Sequence, residues 1–394
     1  MRCALAAVAA VLGYVCATQA LAQTLALRNA ERAHRLAPGN GQIAARLALS
    51  LVGAEATAAD RKRADMIARG ALLQDATAVA AVTTLGINAQ VRGEQAPAER
   101  LFAYSQKLSR RQLQTQLWAI EHAVARDDVA GALQHYDIAL RTSPTSASLL
   151  FPVLALATAD PQIRTALTKT LAAKPSWSEW FISHVATHSP EPRSTAALFL
   201  ELRRAGVAVP KSADTAVINA LIDSDFVDEA WRYYASLTPA ADRRISRDPR
   251  FVADTTTPSL FDWVPVNDAS VTTSIQPSEK GGVFDFAAPA SIGGALLRQL
   301  QLLPPGTYQI TGRSSEIDQE ERAQPYWLLS CRQDGRELGR VSLPNSAQDA
   351  GRFLGNFTVP ADCPVQMLTL IARPSDAVAG LSGQISFAQL APAQ

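Results

Sequence analysis

The stretch from Leu117 to Pro144 sets the strongest limit on what this chain can fold into. It reads as two short helices broken at Arg126-Asp127-Asp128, the second carrying Ala132, Tyr136 and Ala139 and closing at Pro144. Ala132 and Ala139 lie two turns apart on one helix face, with Tyr136 between them. A step of 34 residues back reaches Ala98, Phe102 and Ser105, and another 34 reaches Ala64, Ala68 and Ala71. A further step of 38 reaches Ala26, Ala30 and Ala33, the extra residues falling between Ala54 and Ala59, and 34 forward from Ala132 and Ala139 gives Ala166 and Ala173. Self-similarity at this period predicts stacked helix pairs, each able to bury its face only against its neighbours.

The small, aromatic, small residues and closing proline at Ala132, Tyr136, Ala139 and Pro144 resemble the tetratricopeptide repeat family, as do Ala98 and Phe102 and the Leu85-Gly86 pair of the partner helix. The resemblance implies a helical solenoid whose groove, lined by first-helix positions, takes a protein partner. The chain departs from the family in lacking most first-helix aromatics, in the displaced Trp118, and in keeping closing prolines mainly at Pro38 and Pro144. A generic α solenoid accounts for the same residues. Beyond Pro175 the register fades while helical spacing continues through Trp177, Trp180, Phe181 and Val185, then Ala196, Phe199, Leu200 and Leu202. A hairpin from Val217 to Leu237 restores the spacing with Ala230 and Tyr234, and the segment 239–260, with Pro239, Pro249 and the tract Thr255 to Ser259, has linker chemistry.

At the N-terminus, Arg2 precedes an apolar run from Ala4 to Val15, followed by Ala20-Leu21-Ala22. A charged start, a short apolar core and an A-x-A end describe a secretory signal peptide cut after Ala22. An uncleaved anchor is the competing reading, against which the core is short of the roughly 20 residues that span a bilayer. Val15 stands where a lipoprotein signal has a small residue before its cysteine, which argues against lipidation of Cys16. Export leaves Cys331 and Cys363 as the cysteines of the mature chain, and in an oxidising compartment they are expected to pair. The Ala-rich, Arg-over-Lys composition suits a bacterial periplasm, with secretion as the wider reading and no membrane span after cleavage. Lys+Arg 37 against Asp+Glu 36 gives no global field for nucleic acid.

From Phe261 onward, ten short segments between turns predict an all-β sandwich: FDWVPV, VTTSIQP, GVFDFAA, ALLRQLQLL, TYQITGRS, YWLLSCR, ELGRVSL, RFLGNFTV, VQMLTLIARP and GQISFAQL. Alternation is expected in Leu297, Gln299 and Gln301 against Leu296, Leu300 and Leu302, and in Tyr308 and Ile310 against Gln309 and Thr311. RQLQLLPPGTYQITGRS, two strands about a Pro-Gly turn, resembles galactose-binding-like and carbohydrate-binding jelly rolls. Such folds stack aromatics on sugar rings, which makes Trp263, Tyr326 and Trp327 candidate glycan contacts, with Tyr308 a candidate in kind. The competing reading for each is core packing, and adjacent residues such as Tyr326 and Trp327 face opposite ways.

The sequence holds no G-x-S-x-G, phosphate loop or dinucleotide fingerprint. His184 and His188 have the i, i+4 spacing of two metal ligands but lack a third, and Glu316, Asp318, Glu320 and Glu321 form an acidic loop that reads as a solvated hairpin. No cofactor, metal or catalytic residue is assigned. The expected architecture is a signal peptide over 1–22, an all-α repeat domain over 23–240, a linker over 241–260 and an all-β sandwich over 261–394. The expected function is a non-enzymatic scaffold in the periplasm, binding a protein through the helices and polysaccharide through the sandwich, in envelope or exopolysaccharide assembly. The alternative is a carbohydrate-active enzyme, which needs two carboxylates about 5 to 9.5 Å apart in a cleft between helices and sandwich.

Overall fold

The computed structural model of the chain describes residues 2–254, 256–267, 271–279, 281–375 and 380–393, with side chains from Val8 onward. Met1 of the expected signal and Thr255 of the expected linker therefore lie outside the described residues. Helices come first and two antiparallel sheets follow. Two compact units divide the chain: residues 1–190 with 198–208, and residues 191–197 with 209–394.

The first unit begins with α1 (Arg2–Leu25), whose Val8–Leu25 window is the one among the described residues long and apolar enough to cross a membrane. Val8, Val11, Leu12, Tyr14 and Val15 are exposed along it, while Ala22 is buried with Ala26, Ala33, Ala37 and Ile43. Helix pairs follow: α2 (Ala30–Leu36), α3 (Gly41–Ser50), α4 (Ala58–Gln74), α5 (Val79–Val91), α6 (Gln95–Leu108), α7 (Leu113–Val124) and α8 (Val129–Thr142). Short polar side chains start them: Asn40 caps α3, Thr57 and Asp60 form a reciprocal capping box on α4, and Asp128 accepts from the Gly131 amide at the start of α8.

The breaks inside the pairs α5–α6 and α7–α8 are built from one backbone device. Gly93 (φ 76°) and Asp127 (φ 55°) sit 34 residues apart in the left-handed region, and the next amides, Glu94 and Asp128, donate to Ala89 O and Ala123 O at 2.9 and 3.0 Å. These bonds close helices α5 and α7 and turn the chain into the next helix. The expected seam residues Ala64, Ala68, Ala71, Ala98, Phe102, Ser105, Ala132, Tyr136 and Ala139 are all buried. Gly86 allows this at one point, since a Cβ there would stand 3.2 Å from the Phe102 ring. A hydroxyl triad, Thr83, Ser105 and Thr115, joins α5, α6 and α7 at 2.8 to 3.1 Å with each member fully buried.

Two repeat assignments differ in the structure. Pro144 is exposed and opens a 3-10 turn (Pro144–Ser146), so it ends α8 without packing in the seam. In α10 (Pro161–Ala172), which follows α9 (Ala147–Ala157), the 34-residue step slips by one: Ala166 is half-buried and Ala173 exposed, while Leu167 and Leu171 are fully buried. The large i, i+4 leucines take the inner face because they bury more apolar area than alanines. The first unit also holds α11 (Ser178–His188), where Trp177 and Phe181 pack on Phe151 and Trp177 Nε1 donates to Asp137 at 2.8 Å. Helix α12 (Pro192–Arg204) contributes residues to both units.

The second unit contains α13 (Lys211–Asp223) and α14 (Val227–Leu237) as well as, among the described residues, ten strands. The strands are β1 (Val264–Pro265), β2 (Thr272–Ser278), β3 (Gly281–Ala288), β4 (Gly294–Gln301), β5 (Gly306–Ser315), β6 (Tyr326–Cys331), β7 (Glu337–Ser342), β8 (Arg352–Val359), β9 (Gln366–Ala372) and β10 (Leu381–Pro392). They form two five-stranded sheets, ordered β1-β4-β9-β6-β7 and β2-β3-β10-β5-β8, over a core that includes Phe284, Phe286, Leu297, Ile310, Trp327, Phe357 and Leu370. The expected alternation holds in β5, where Tyr308 and Ile310 are buried and Gln309 and Thr311 are not. It does not separate faces in β4, whose residues from Leu296 to Gln301 are all buried except Arg298.

The hairpin α13–α14 and the segment expected as a linker are both held to the sheets. Tyr234 donates to Asp262 at 2.9 Å, Leu260 N to Asn219 at 3.0 Å and Thr215 to Thr257 O at 2.8 Å. Arg247, in the middle of the segment, is buried and donates to Phe261 O at 2.8 Å, to Gln301 Oε1 at 3.0 Å and to Leu300 O. Its backbone exchanges bonds with the Gln299 side chain at 3.2 and 3.0 Å, and Trp231 and Phe261 lie within 5.7 Å of the guanidinium. Burial draws the Arg247 pKa down to about 10.

Cys331, ending β6, is bonded to Cys363 at a sequence separation of 32. Reduction should lower the unfolding free energy of the second unit by about 3–4 kcal/mol, read as an earlier denaturant midpoint with reductant. Replacing the seam residue by Ala139→Leu should cost about 1–3 kcal/mol through overpacking; an unchanged melting temperature would show that the α8 face is not a tight seam.

Candidate functional site

The three aromatics singled out as sugar contacts part company in the sandwich. Trp263 is 2% exposed with Nε1 donating to Asp248 O at 2.9 Å, and Trp327 is fully buried with its ring 5.7 Å from that of Trp263. Neither can stack on a saccharide; they are core residues, because β6 turns Trp327 inward with Leu329 and Cys331. Tyr308 is likewise buried. Tyr326 faces the other way and is half-buried, but the guanidinium groups of Arg340 and Arg373 stand 4.5 and 4.6 Å from its ring centroid. Cation–π contacts of that length leave Tyr326 engaged with its own neighbours.

The outer face of the second sheet has a different character. Strand register places Ser274, Asp285, Gln384 and Ser315 in one row across β2, β3, β10 and β5. Gln384 Nε2 donates to Asp285 at 3.0 Å within this row. Further along, Phe387, Arg313 and Arg352 make a row across β10, β5 and β8, and Gln389, Thr311 and Leu354 make the next. Gln309 and Asn356 follow, joined side chain to side chain at 3.2 Å. Amides, hydroxyls and guanidiniums thus alternate with two apolar side chains, the half-buried Phe387 and Leu354, which is 64% exposed.

Local backbone chemistry shapes this face. The register of β10 shifts between Ile385 and Phe387, a bulge that turns Phe387 outward beside Arg313. Gly312 lets the Phe353 ring close beneath the face, since a Cβ there would lie 2.1 Å from it. Over the second and third rows opens a depression of about 790 Å³ lined by Thr311, Arg313, Gln324, Arg352, Leu354 and Phe387, with Asp349 and Ser342 also at its walls. A polar floor with a few exposed apolar carbons suits a ligand that has both hydroxyls and C–H faces. The sequence hid this because the aromatic involved, Phe387, follows a bulge that alternation cannot foresee.

Elsewhere, a depression of about 870 Å³ lies beside the disulfide, lined by Asp225, Asp228, Glu229, Arg243, Arg332 and Cys363 among others. Two of its acids are engaged: Asp228 pairs with Arg243 at 2.8 Å and Glu229 with Arg232 at 3.2 Å. In the first unit, Trp118 of α7 is stacked with Phe102 at 4.4 Å and with His122 at 4.6 Å, between depressions of about 470 and 400 Å³. His184 and His188 stack on each other at 4.8 Å, and burial together with His188 lowers the His184 pKa. In the acidic loop, Glu320 pairs with Arg322 at 3.0 Å and Asp318 accepts from Asn345 at 3.4 Å. Among the described residues no three His, Cys, Asp or Glu side chains converge.

No family model and no curated protein matches the sequence. Solved structures to which part of the chain is similar include a xylan-binding domain of Paenibacillus barcinonensis (12% identity, 38% of this chain and 96% of that domain, TM-score 0.27). A CBM4 module (11%, 39% and 99%, TM-score 0.27) and a carbohydrate-binding module of Cellvibrio mixtus lichenase 5A solved with cellotriose (10%, 34% and 98%, TM-score 0.22) are further cases.

The indole N–H of Trp327 is buried without an acceptor among the described residues. Trp327→Ala should therefore cost about 3–5 kcal/mol of stability, whereas Trp327→Phe, which deletes the unpaired donor, should cost far less. Equal losses in a urea titration would contradict the core assignment.

Proposed function

We propose that this is an exported, non-enzymatic envelope scaffold whose sandwich holds a glycan on the outer face of the second sheet. One observation carries the reading: in-register rows of amides, hydroxyls and guanidiniums meet the outward Phe387 and Leu354 in an open depression of about 790 Å³. Hydroxyls and amides satisfy sugar hydroxyls, and apolar side chains cover the C–H face of a pyranose. Export is supported by the exposed apolar α1 near the N-terminus and by the Cys331–Cys363 bond, which belongs in an oxidising compartment. Periplasmic residence and a role in polysaccharide assembly follow from the same reading.

The helices take the scaffold role in this proposal. Their tetratricopeptide-like character rests on the 34-residue recurrence of buried small residues and left-handed turns. Trp118, half-buried on a first helix and flanked by two depressions, is the position where a protein segment would anchor, since partly exposed aromatics in such settings carry much of an interface's energy.

Affinity electrophoresis of the full chain in gels containing envelope polysaccharides tests the glycan reading. Phe387→Ala should weaken retardation about 3- to 10-fold without shifting the melting temperature by more than a few degrees. No retardation by any polysaccharide would sink the proposal, and release of new reducing ends in the same incubations would favour a carbohydrate-active enzyme instead.

A further inference from the structure

Arg313 and Arg352 occupy directly opposed positions on β5 and β8, both exposed and both in the wall of the same depression. Like charges facing each other across a strand pair are destabilising unless something neutralises them. Four arginines of the sandwich have counterions at hand, Arg322 with Glu320 at 3.0 Å, Arg332 with Asp223 at 3.3 Å, Arg336 with Asp362 at 2.8 Å and Arg340 with Glu337 at 2.7 Å, while Arg373 lies over the Tyr326 ring; Arg313 and Arg352 differ in facing each other. Arg313 and Arg352 have no ion pair among the described residues, although Asp349 lines the same depression.

We infer that this arginine pair receives the carboxylate of an acidic saccharide, a uronic acid unit in a polymer, and so sets the class of glycan taken by the face proposed above. The inference rests on that glycan reading. Guanidinium forks match carboxylates in geometry and bind them by charge-assisted bonds. An anion between the two side chains would also remove their mutual repulsion. Phe387 next to Arg313, and Leu354 next to Arg352 along β8, place apolar carbons where the ring attached to that carboxylate would lie. Thr311 and Gln389, in the adjacent row, supply hydroxyl and amide partners for the ring's own hydroxyls. A bare inorganic anion would have no use for those side chains.

The test uses the full chain with two probes of the same linkage, polygalacturonate and polygalacturonate whose carboxyls have been reduced to alcohols. Binding to the acidic polymer with at least about tenfold weaker binding to the reduced one is expected, as is a tenfold loss on Arg313→Gln or Arg352→Gln. Arg111→Gln, which removes the same single charge from the loop between α6 and α7, should leave binding unchanged. Because each glutamine relieves repulsion, neither sandwich variant should melt below the parent protein. Equal binding of both polymers would overturn the acidic assignment and leave the glycan reading standing, whereas binding of neither would overturn both. Loss of binding with the Arg111→Gln control, or full displacement by millimolar inorganic phosphate, would show nonspecific anion attraction and also overturn the inference.

Discussion

Much of the second unit turns on a charge that has no direct counterion. Arg247 is buried and held by carbonyl oxygens of Phe261 and Leu300 and by the amides of Gln299 and Gln301. A guanidinium removed from water must have its donors satisfied, and leaving the acceptors unpaired would be costly in turn. The network therefore locks the segment before the strands onto β4, while Trp231 and Phe261 cover the guanidinium and Tyr234 ties α14 to Asp262. Burial pushes the Tyr234 hydroxyl pKa up, so it stays a neutral donor to that carboxylate. With the segment fixed in this way, Gln299 and Gln301 are buried as its partners on a strand expected to alternate.

The helical unit depends on smallness instead of charge. Alanines at 34-residue steps are legible because an exact period survives in the sequence even where the larger residues drift. The slip at Leu167 and Leu171 was not legible, since two alanines at the right spacing look the same on either side of a helix. Nor was the recurring left-handed turn, because Gly93 and Asp127 are different residues that solve one backbone problem.

The candidate face shows the same division. Residue type pointed to aromatics in the sandwich, and the strands formed where the apolar segments predicted them. Which aromatic looked outward was decided by packing: Trp263 and Trp327 fill the space between the sheets, and arginines claim Tyr326. The residues that build the face come from β5, β8 and β10, which lie far apart in sequence and become neighbours only through strand order.

Local periodicity and turn chemistry thus determined, from the sequence alone, a helical array followed by a sandwich, and the two cysteines beyond the apolar N-terminal run pointed to the bond that joins Cys331 and Cys363. Tertiary structure alone decided that α13, α14 and the segment through Arg247 belong with the strands, because the partners that hold them lie 28 to 42 residues away for the hairpin and 52 to 54 for Arg247 on β4. It alone also set Arg313 opposite Arg352, since register across two strands is fixed by the packing of both faces and cannot be read from either strand by itself.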